Sequence, residues 1–336
     1  MLKRNPSLSI ARPNFFVLGV PKCGTSTLHQ VLMAHPDIFM TNEKEPHFFD
    51  TDTYYNRGLD RYLRDHFRGA ADFKARGEAS PTYLRSGKAR DRIRGDLGKD
   101  LRFVVILRDP VKRAWSAYLQ ECRYGVETES FERALELEPS RLSVGRPEWA
   151  TAYFRNGLYA RQLRVWFEAF PREHFLVLLT EDLAERPNAV ARQVFAFLEV
   201  DPDVEFSPPS PENVGWTPRY PRLAAALHRK DGMMGTLKRL VPYRSRQRLR
   251  KLINGWNSRP FEGAPTIDPA IARALRRRYY DEILAVEEII GRDLGMWRSD
   301  DYTARFPQAS VPRGQRDQSG QERTCHKRNK LRSGRT

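Results

Sequence analysis

Asn14-Phe15-Phe16-Val17-Leu18-Gly19-Val20-Pro21-Lys22-Cys23-Gly24-Thr25-Ser26-Thr27 is the stretch on which the rest of the chain turns. Its first seven residues are short, apolar and rich in β-formers, the pattern of a buried strand. A turn with two glycines follows, and a helix is predicted from Thr25 to about Ala34. The first backbone amides of such a helix have no partner inside it and point back at the turn. The helix dipole adds partial positive charge at the same place. The hydroxyls of Thr25, Ser26 and Thr27 and the ammonium of Lys22 complete a loop suited to phosphate.

Gly19 and Gly24 have the glycine spacing of the ATP-type loop G-x-x-x-x-G-K-[ST]. Thr25, however, stands where that loop has its lysine, and the lysine has moved inside, to position 22. No aspartate placed after a strand offers itself as a Mg²⁺ ligand. Both features argue against a metal-dependent nucleotide kinase or NTPase, which stays as the rival enzyme reading.

Outward from the loop, strands are predicted at Phe73 to Glu78, Leu101 to Leu107 and Phe175 to Leu179. Helices are predicted at Val111 to Cys122, Arg155 to Phe170, Pro187 to Leu198 and Ala270 to Gly291, with the folded part ending near Trp297. Strands alternating with helices at this spacing imply an α/β fold. The expected architecture is a three-layer P-loop-type domain with a mainly parallel central sheet flanked by helices. The expected division is a disordered lead over 1–13, one domain over 14–298 and a basic disordered tail over 299–336.

The chain has 336 residues, of which 40% are hydrophobic, enough for one large α/β domain or two small ones. No apolar run approaches the roughly 20 residues of a membrane helix, and the N-terminus lacks the apolar region of a secretory signal. Only Cys23, Cys122 and Cys325 are present, without metal-site spacing. These features lead to the expectation of a cytoplasmic protein without a disulfide framework. The formal net charge is +16, which suits an anionic substrate, an anionic membrane surface or nucleic acid. Eleven Lys or Arg residues fall between Arg219 and Lys251, against Asp231 alone. The tail from Ser299 carries nine bases and four acids, with Tyr302 and Phe306 as its aromatics and none beyond Phe306, so no base-stacking platform is indicated there. A basic nucleic-acid-binding protein remains the rival outside enzymology, although no specific nucleic acid is expected.

Arg108 follows the clearest strand at its C-terminal end, where open parallel sheets bind ligands. Its guanidinium matches a phosphate bidentately. Ser116 lies eight residues on, so about two helical turns return its hydroxyl toward the same side. Pairing of Arg108 with Asp109 is the alternative. Further along, Glu43-Lys44-Glu45-Pro46-His47-Phe48-Phe49-Asp50 brings a carboxylate and an imidazole within two residues of each other. In an extended segment they project to one side and offer two candidate general bases. Pairing of Glu45 with Lys44 or Lys22 is the alternative there, and Phe48 and Phe49 read as core.

Three of these segments, in this order and spacing, resemble the PAPS-dependent sulfotransferases. Pro21 to Leu28 is similar to their 5′-phosphosulfate loop. Leu107-Arg108-Asp109-Pro110 with Arg113 and Ser116 is similar to their 3′-phosphate motif, and Glu43 to Asp50 to the base segment of heparan-sulfate-type members. The resemblance covers about 14–298. It implies PAPS as donor, PAP as product and no required metal. It further implies that Lys22, Cys23, Gly24, Thr25, Ser26 and Thr27 hold the phosphosulfate end, while Arg108 and Ser116 hold the 3′-phosphate. Lys22 would meet the leaving phosphate. Glu45 would be the base with His47 orienting it, or His47 the base itself. Arg219, in a segment similar to the family's late loop, would join Arg108. Tyr159 would lie near the adenosine or in the core. Heparan-type members often have lysine where this chain has Ala79, which puts heparan-like specificity in doubt. The acceptor implied is an unidentified hydroxyl- or amine-bearing molecule: a carbohydrate, a glycolipid or a small metabolite.

Overall fold

The structure, a computed structural model, describes residues 10–205, 216–218, 220, 256–260 and 265–299. Its centre is a five-stranded, wholly parallel sheet: β1 (Phe15–Gly19), β2 (Ile38–Met40), β3 (Ala75–Ala79), β4 (Arg102–Leu107) and β5 (Phe175–Leu179). The order across the sheet is β2-β3-β1-β4-β5. β1 is central and pairs with β3 on one side and β4 on the other. The chain runs from β1 to one edge, then crosses back to β4. The crevice beyond the C-terminal ends of β1 and β4 is therefore the place where such sheets take ligands. All four residues Phe16 to Leu18 and Val20, and all of Phe103 to Leu107, are buried, as expected of strands covered on both faces.

A row of aromatic rings crosses the sheet in register. Phe16 pairs with Phe103 and Phe103 with Phe175, with ring centroids 6.1 and 4.8 Å apart. Trp166, from the helix Tyr159–Phe167, packs on Phe103 at 5.3 Å and donates its indole N–H to the Leu84 carbonyl at 2.8 Å. At the other end of the row Phe49 meets Phe16 edge-on at 5.9 Å. Edge-to-face and offset contacts of this kind add to plain burial. Here they also fix the loop after β2 to the middle of the sheet.

Several boundaries differ from the sequence expectation. The strand expected over Phe73 to Glu78 runs Ala75–Ala79. The single helix expected over Arg155 to Phe170 is split: a short 3₁₀ turn at Arg155–Gly157 precedes the helix Tyr159–Phe167. A Cβ on Gly157 would sit 2.5 Å from the Tyr279 hydroxyl, so the close approach of Tyr279 shapes the break. The last helical stretch is likewise two helices, Pro269–Arg278 and Tyr280–Ile290, jointed at the buried Tyr279. β2 and the helices Gly87–Leu97 and Phe131–Ser143 went unread in the sequence. β2 is three residues long, the helix Gly87–Leu97 is mostly charged, and the helix Phe131–Ser143 contains Pro139. No helix among the described residues is long and apolar enough to cross a membrane. Of the lead expected over 1–13, residues 1–9 lie outside the described residues, while Ile10 bridges Arg68; the expected tail beyond Ser299 and Arg219 also lie outside them.

Gly77 of β3 faces the ring of Phe15, and a Cβ there would fall 2.5 Å from ring carbons. Phe15 is buried in the core and has no room to retreat. Gly77→Ala is therefore expected to lower unfolding stability by about 1–3 kcal/mol, the range of overpacked cores. Urea denaturation checks this; an unchanged midpoint would mean the β1–β3 contact is looser than drawn.

Candidate active site

The loop after β1 folds as its glycines demand. Gly24 takes a left-handed conformation, φ 89°, and starts the helix Thr25–Met33 without any side-chain cap. A Cβ on Gly19 would come within 3.0 Å of the Ile106 carbonyl and 3.2 Å of Thr25, so the strand end must be glycine for the loop to lie against β4. The first turn of the helix contains no acid. Its amides keep their electrostatic demand for an anion.

Two neighbours tie the loop to the adjacent strands. Arg108, just past β4, donates from its guanidinium to the Lys22 carbonyl at 3.1 Å. Thr180, just past β5, donates to the Cys23 carbonyl at 2.6 Å and lies 2.9 Å from that of Leu107. Arg108 is not spent on Asp109. That carboxylate is buried, caps the helix Pro110–Arg123 through Val111 and Lys112, and faces Arg276 at 3.9 Å. Tyr159 is core: its buried hydroxyl donates to the Arg108 carbonyl at 2.9 Å and so holds that residue's backbone. Arg113 is likewise buried and donates to the Tyr153 carbonyl.

The Lys22 ammonium donates to Gln120 at 2.8 Å. Burial, then the charges of Arg123, Arg108 and Lys44, push its pKa down to about 8, with Glu121 opposing weakly. Glu121 is itself pushed up to about 7 by burial. Four cations thus converge on the loop, against Glu45 on Lys44 at 2.9 Å and Glu121 near Lys22. The excess of positive charge favours an anion there.

The base segment lies across the mouth of the same loop. The Glu45 amide donates to the Ala79 carbonyl at 3.2 Å. Lys44 donates to Ser26 at 2.9 Å, to Thr25 at 3.3 Å and to Glu45 at 2.9 Å. The other carboxylate oxygen of Glu45 is 3.7 Å from His47 Nε2, and His47 Nδ1 is 3.2 Å from Asp50. Thr82 also donates to Asp50. Burial alone would lower the His47 pKa, but the Asp50 hydrogen bond and the charges of Asp50, Glu45 and Glu78 outweigh it and raise it.

The segment is not extended, as the sequence suggested. Glu45 and His47 both have left-handed backbones, φ 61° and 54°, and Lys22 has φ 82°. Among the described non-glycine residues only Glu199 joins them. Each such conformation costs about 1–3 kcal/mol and persists only where the surroundings enforce it. Phe48 and Phe49 supply that enforcement: both are buried, Phe48 stacks on Tyr62 at 4.4 Å, and the Phe49 amide donates to the Tyr83 hydroxyl at 3.2 Å.

The structure therefore gathers Lys22, Cys23, Gly24, Thr25, Ser26, Arg108, Glu45 and His47 at one end of the sheet. Cys23 is a buried member whose thiol is pushed up to about 11 by burial. Thr27 is half-buried in the first turn of the helix. Ser116 is half-buried on the helix Pro110–Arg123, one turn before Gln120. Sequence reasoning missed Lys44, Asp50, Thr82, Gln120, Arg123 and Thr180 as parts of the site. Two of them had a signal: Gln120 and Arg123 lie four and seven residues beyond Ser116, the spacing of one helix face. Thr82 and Thr180 had none, because only the sheet order brings them in. Among the described residues no group of three His, Cys, Asp or Glu side chains is arranged to hold a metal ion.

If the convergence of cations sets the Lys22 ammonium, NMR of labelled lysine should show it titrating near pH 8. Removing a like charge by Arg123→Ala should move that titration upward. A Lys22 that titrates with the solvent-exposed lysines would contradict this.

Comparison with known proteins places this site in a family. Residues 12–209 match the family model described as a sulfotransferase domain. The crystal structure of a sulfotransferase from Alicyclobacillus acidocaldarius superposes with a TM-score of 0.63 at 30% identity, covering 86% of this chain and 100% of that one. Heparan sulfate glucosamine 3-O-sulfotransferase 6 of Mus musculus is 35% identical over 202 residues, 58% of this chain and 56% of that protein. Its Homo sapiens counterpart is 36% identical over 186 residues, 55% and 52% respectively. The chain thus spans little more than half the length of these curated relatives. Because the matched family model covers more than half of this chain, and takes in the loop, the base segment and Arg108 alike, the chain belongs to the sulfotransferase family.

Proposed function

We propose that this chain transfers a sulfuryl group from PAPS to a hydroxyl or amine of an acceptor, releasing PAP. The single observation that carries the reading is the cation cluster around Lys22, beside an uncapped helix N-terminus, with the Lys22 pKa depressed by burial and then by the neighbouring cations. A doubly phosphorylated nucleotide balances this excess of positive charge, and its phosphosulfate supplies the sulfuryl group.

In this reading the amides and hydroxyls of Gly24, Thr25, Ser26 and Thr27 hold the phosphosulfate end. Arg108 and Ser116 hold the 3′-phosphate. Glu45 takes the proton from the acceptor as its oxygen or nitrogen bonds to sulfur, while the bond from sulfur to the 5′-phosphate oxygen breaks. Lys22 meets the negative charge that develops on that oxygen. His47 is the weaker candidate base. Asp50 and the surrounding carboxylates raise its pKa and favour its charged form, which has no lone pair to accept a proton. It is better suited to orient Glu45 through the 3.7 Å contact. The named relatives act on glucosamine in heparan sulfate, which favours a glycan hydroxyl as acceptor. Ala79, buried at the end of β3 beside Glu45, leaves that position without a charge for a sulfated chain.

Calorimetry with PAP tests the donor half. Lys22→Ala and Arg108→Ala should each weaken PAP by about tenfold or more, the worth of one hydrogen bond to a charged group. Glu45→Gln should leave PAP bound but cut turnover by about 10²–10⁴-fold, the usual contribution of a general base. If Lys22→Ala and Glu45→Gln both leave turnover intact with a true acceptor, the assignment fails.

The pH dependence has a definite sign. The free-state pKa of Lys22 is about 8, and a bound phosphate favours its charged form. Binding therefore takes up a proton above that pH, and PAP affinity should fall as pH rises past 8, by up to about tenfold per unit. The slope should flatten in Lys22→Ala.

A further inference from the structure

One side chain touches both halves of the site at once. The Lys44 ammonium has three protons, and three acceptors receive them: Ser26 and Thr25 in the donor loop, and Oε1 of Glu45. It is only partly exposed, at 26%, as is Glu45 at 35%. Its charge is also among those that act on Lys22. It therefore stands within the cation cluster while being neutralised by the carboxylate beside it. Ser26 and Thr25 are residues that the phosphosulfate would engage, so an anion entering the loop competes with Glu45 for the same ammonium.

We propose that Lys44 is a positioning residue that couples occupancy of the donor loop to the state of the base, holding Glu45 against the loop when it is empty and turning its charge to the incoming anion when it fills. Glu45 is thereby restrained until a donor is present, and its carboxylate is freed at the mouth of the loop where an acceptor would arrive. The inference rests on the reading of Glu45 as the base. Its physical core, competition between a carboxylate and a phosphate for one ammonium, is independent of the acceptor. Lys44 and Glu45 are adjacent in sequence, and the left-handed backbone at Glu45 turns its carboxylate back onto the preceding side chain. The strain described above thus has a consequence at this contact.

The test is a double-mutant cycle on PAP affinity, measured by calorimetry on the full chain: wild type, Lys44→Met, Glu45→Gln and the double variant. Lys44→Met should weaken PAP by about tenfold. Glu45→Gln should tighten PAP several-fold in the wild-type background, because Lys44 is released to the anion. In the Lys44→Met background the same change should have at most about a third of that effect. Lys44→Arg should retain the coupling, and Lys44→Gln replaces the methionine variant if that one fails to fold. Equal effects of Glu45→Gln in both backgrounds would overturn the proposal while leaving the donor site standing. Absence of PAP binding to the wild-type protein would instead overturn the proposed function itself.

Discussion

The parallel pairing of β1 with β4 is the contact on which the rest of the molecule depends. It runs in register from Phe15 opposite Arg102 to Gly19 opposite Ile106. Two connections from distant parts of the chain therefore leave the sheet side by side. One is the glycine-bounded loop; the other begins with Arg108, whose guanidinium closes on the Lys22 carbonyl at 3.1 Å. Eighty-six residues separate the two in sequence, and no local propensity could join them. The glycine at position 19 is part of the same constraint, since any side chain there would press on β4.

Charge is concentrated where the fold can least tolerate it. Lys22, Lys44, Arg108 and Arg123 approach one another at the edge of a well-packed core, and burial first, then the neighbouring cations, depress the pKa of Lys22. Elsewhere the chain pairs its buried charges: Asp182 with Arg292 and Arg186, and Glu127 with Arg141 and the Tyr153 hydroxyl. A cluster in which cations outnumber carboxylates, beside such pairing elsewhere, makes a candidate anion site.

Strain is concentrated in the same place. Lys22, Glu45 and His47 share a backbone conformation that ordinary residues avoid. The aromatic row from Phe175 through Phe103 and Phe16 to Phe49 carries rigidity from the sheet centre to the base segment. Tyr83 and Tyr62 complete the enclosure. Behind them Glu78 is wholly buried, and its carboxyl is pushed up to about 8 by burial despite the Tyr83 and Tyr62 hydroxyls and nearby His47. The base segment is thus held by packing rather than by secondary structure.

The sequence by itself determined the architecture and the position of the loop and Arg108 at the C-terminal ends of β1 and β4. A β-rich apolar run ending in Gly19, a lysine inside the loop, and an arginine directly after the LRFVVIL strand are local patterns whose physical meaning does not depend on the rest of the chain. That is why β1, β4 and β5 and the helix after Pro110 were legible to within a residue or two. What only the tertiary structure decided was which side chains gather around the loop and in what backbone state. Lys44 was read merely as a possible partner of Glu45, because nothing local shows that Ser26 and Thr25 lie within its reach. The left-handed turns at Glu45 and His47 were read as extended, because the cost of that conformation is offset by contacts with Tyr62, Tyr83 and Phe16, all remote in sequence or in another element. Local propensity describes what a segment prefers alone; the site exists where packing across the sheet overrules that preference.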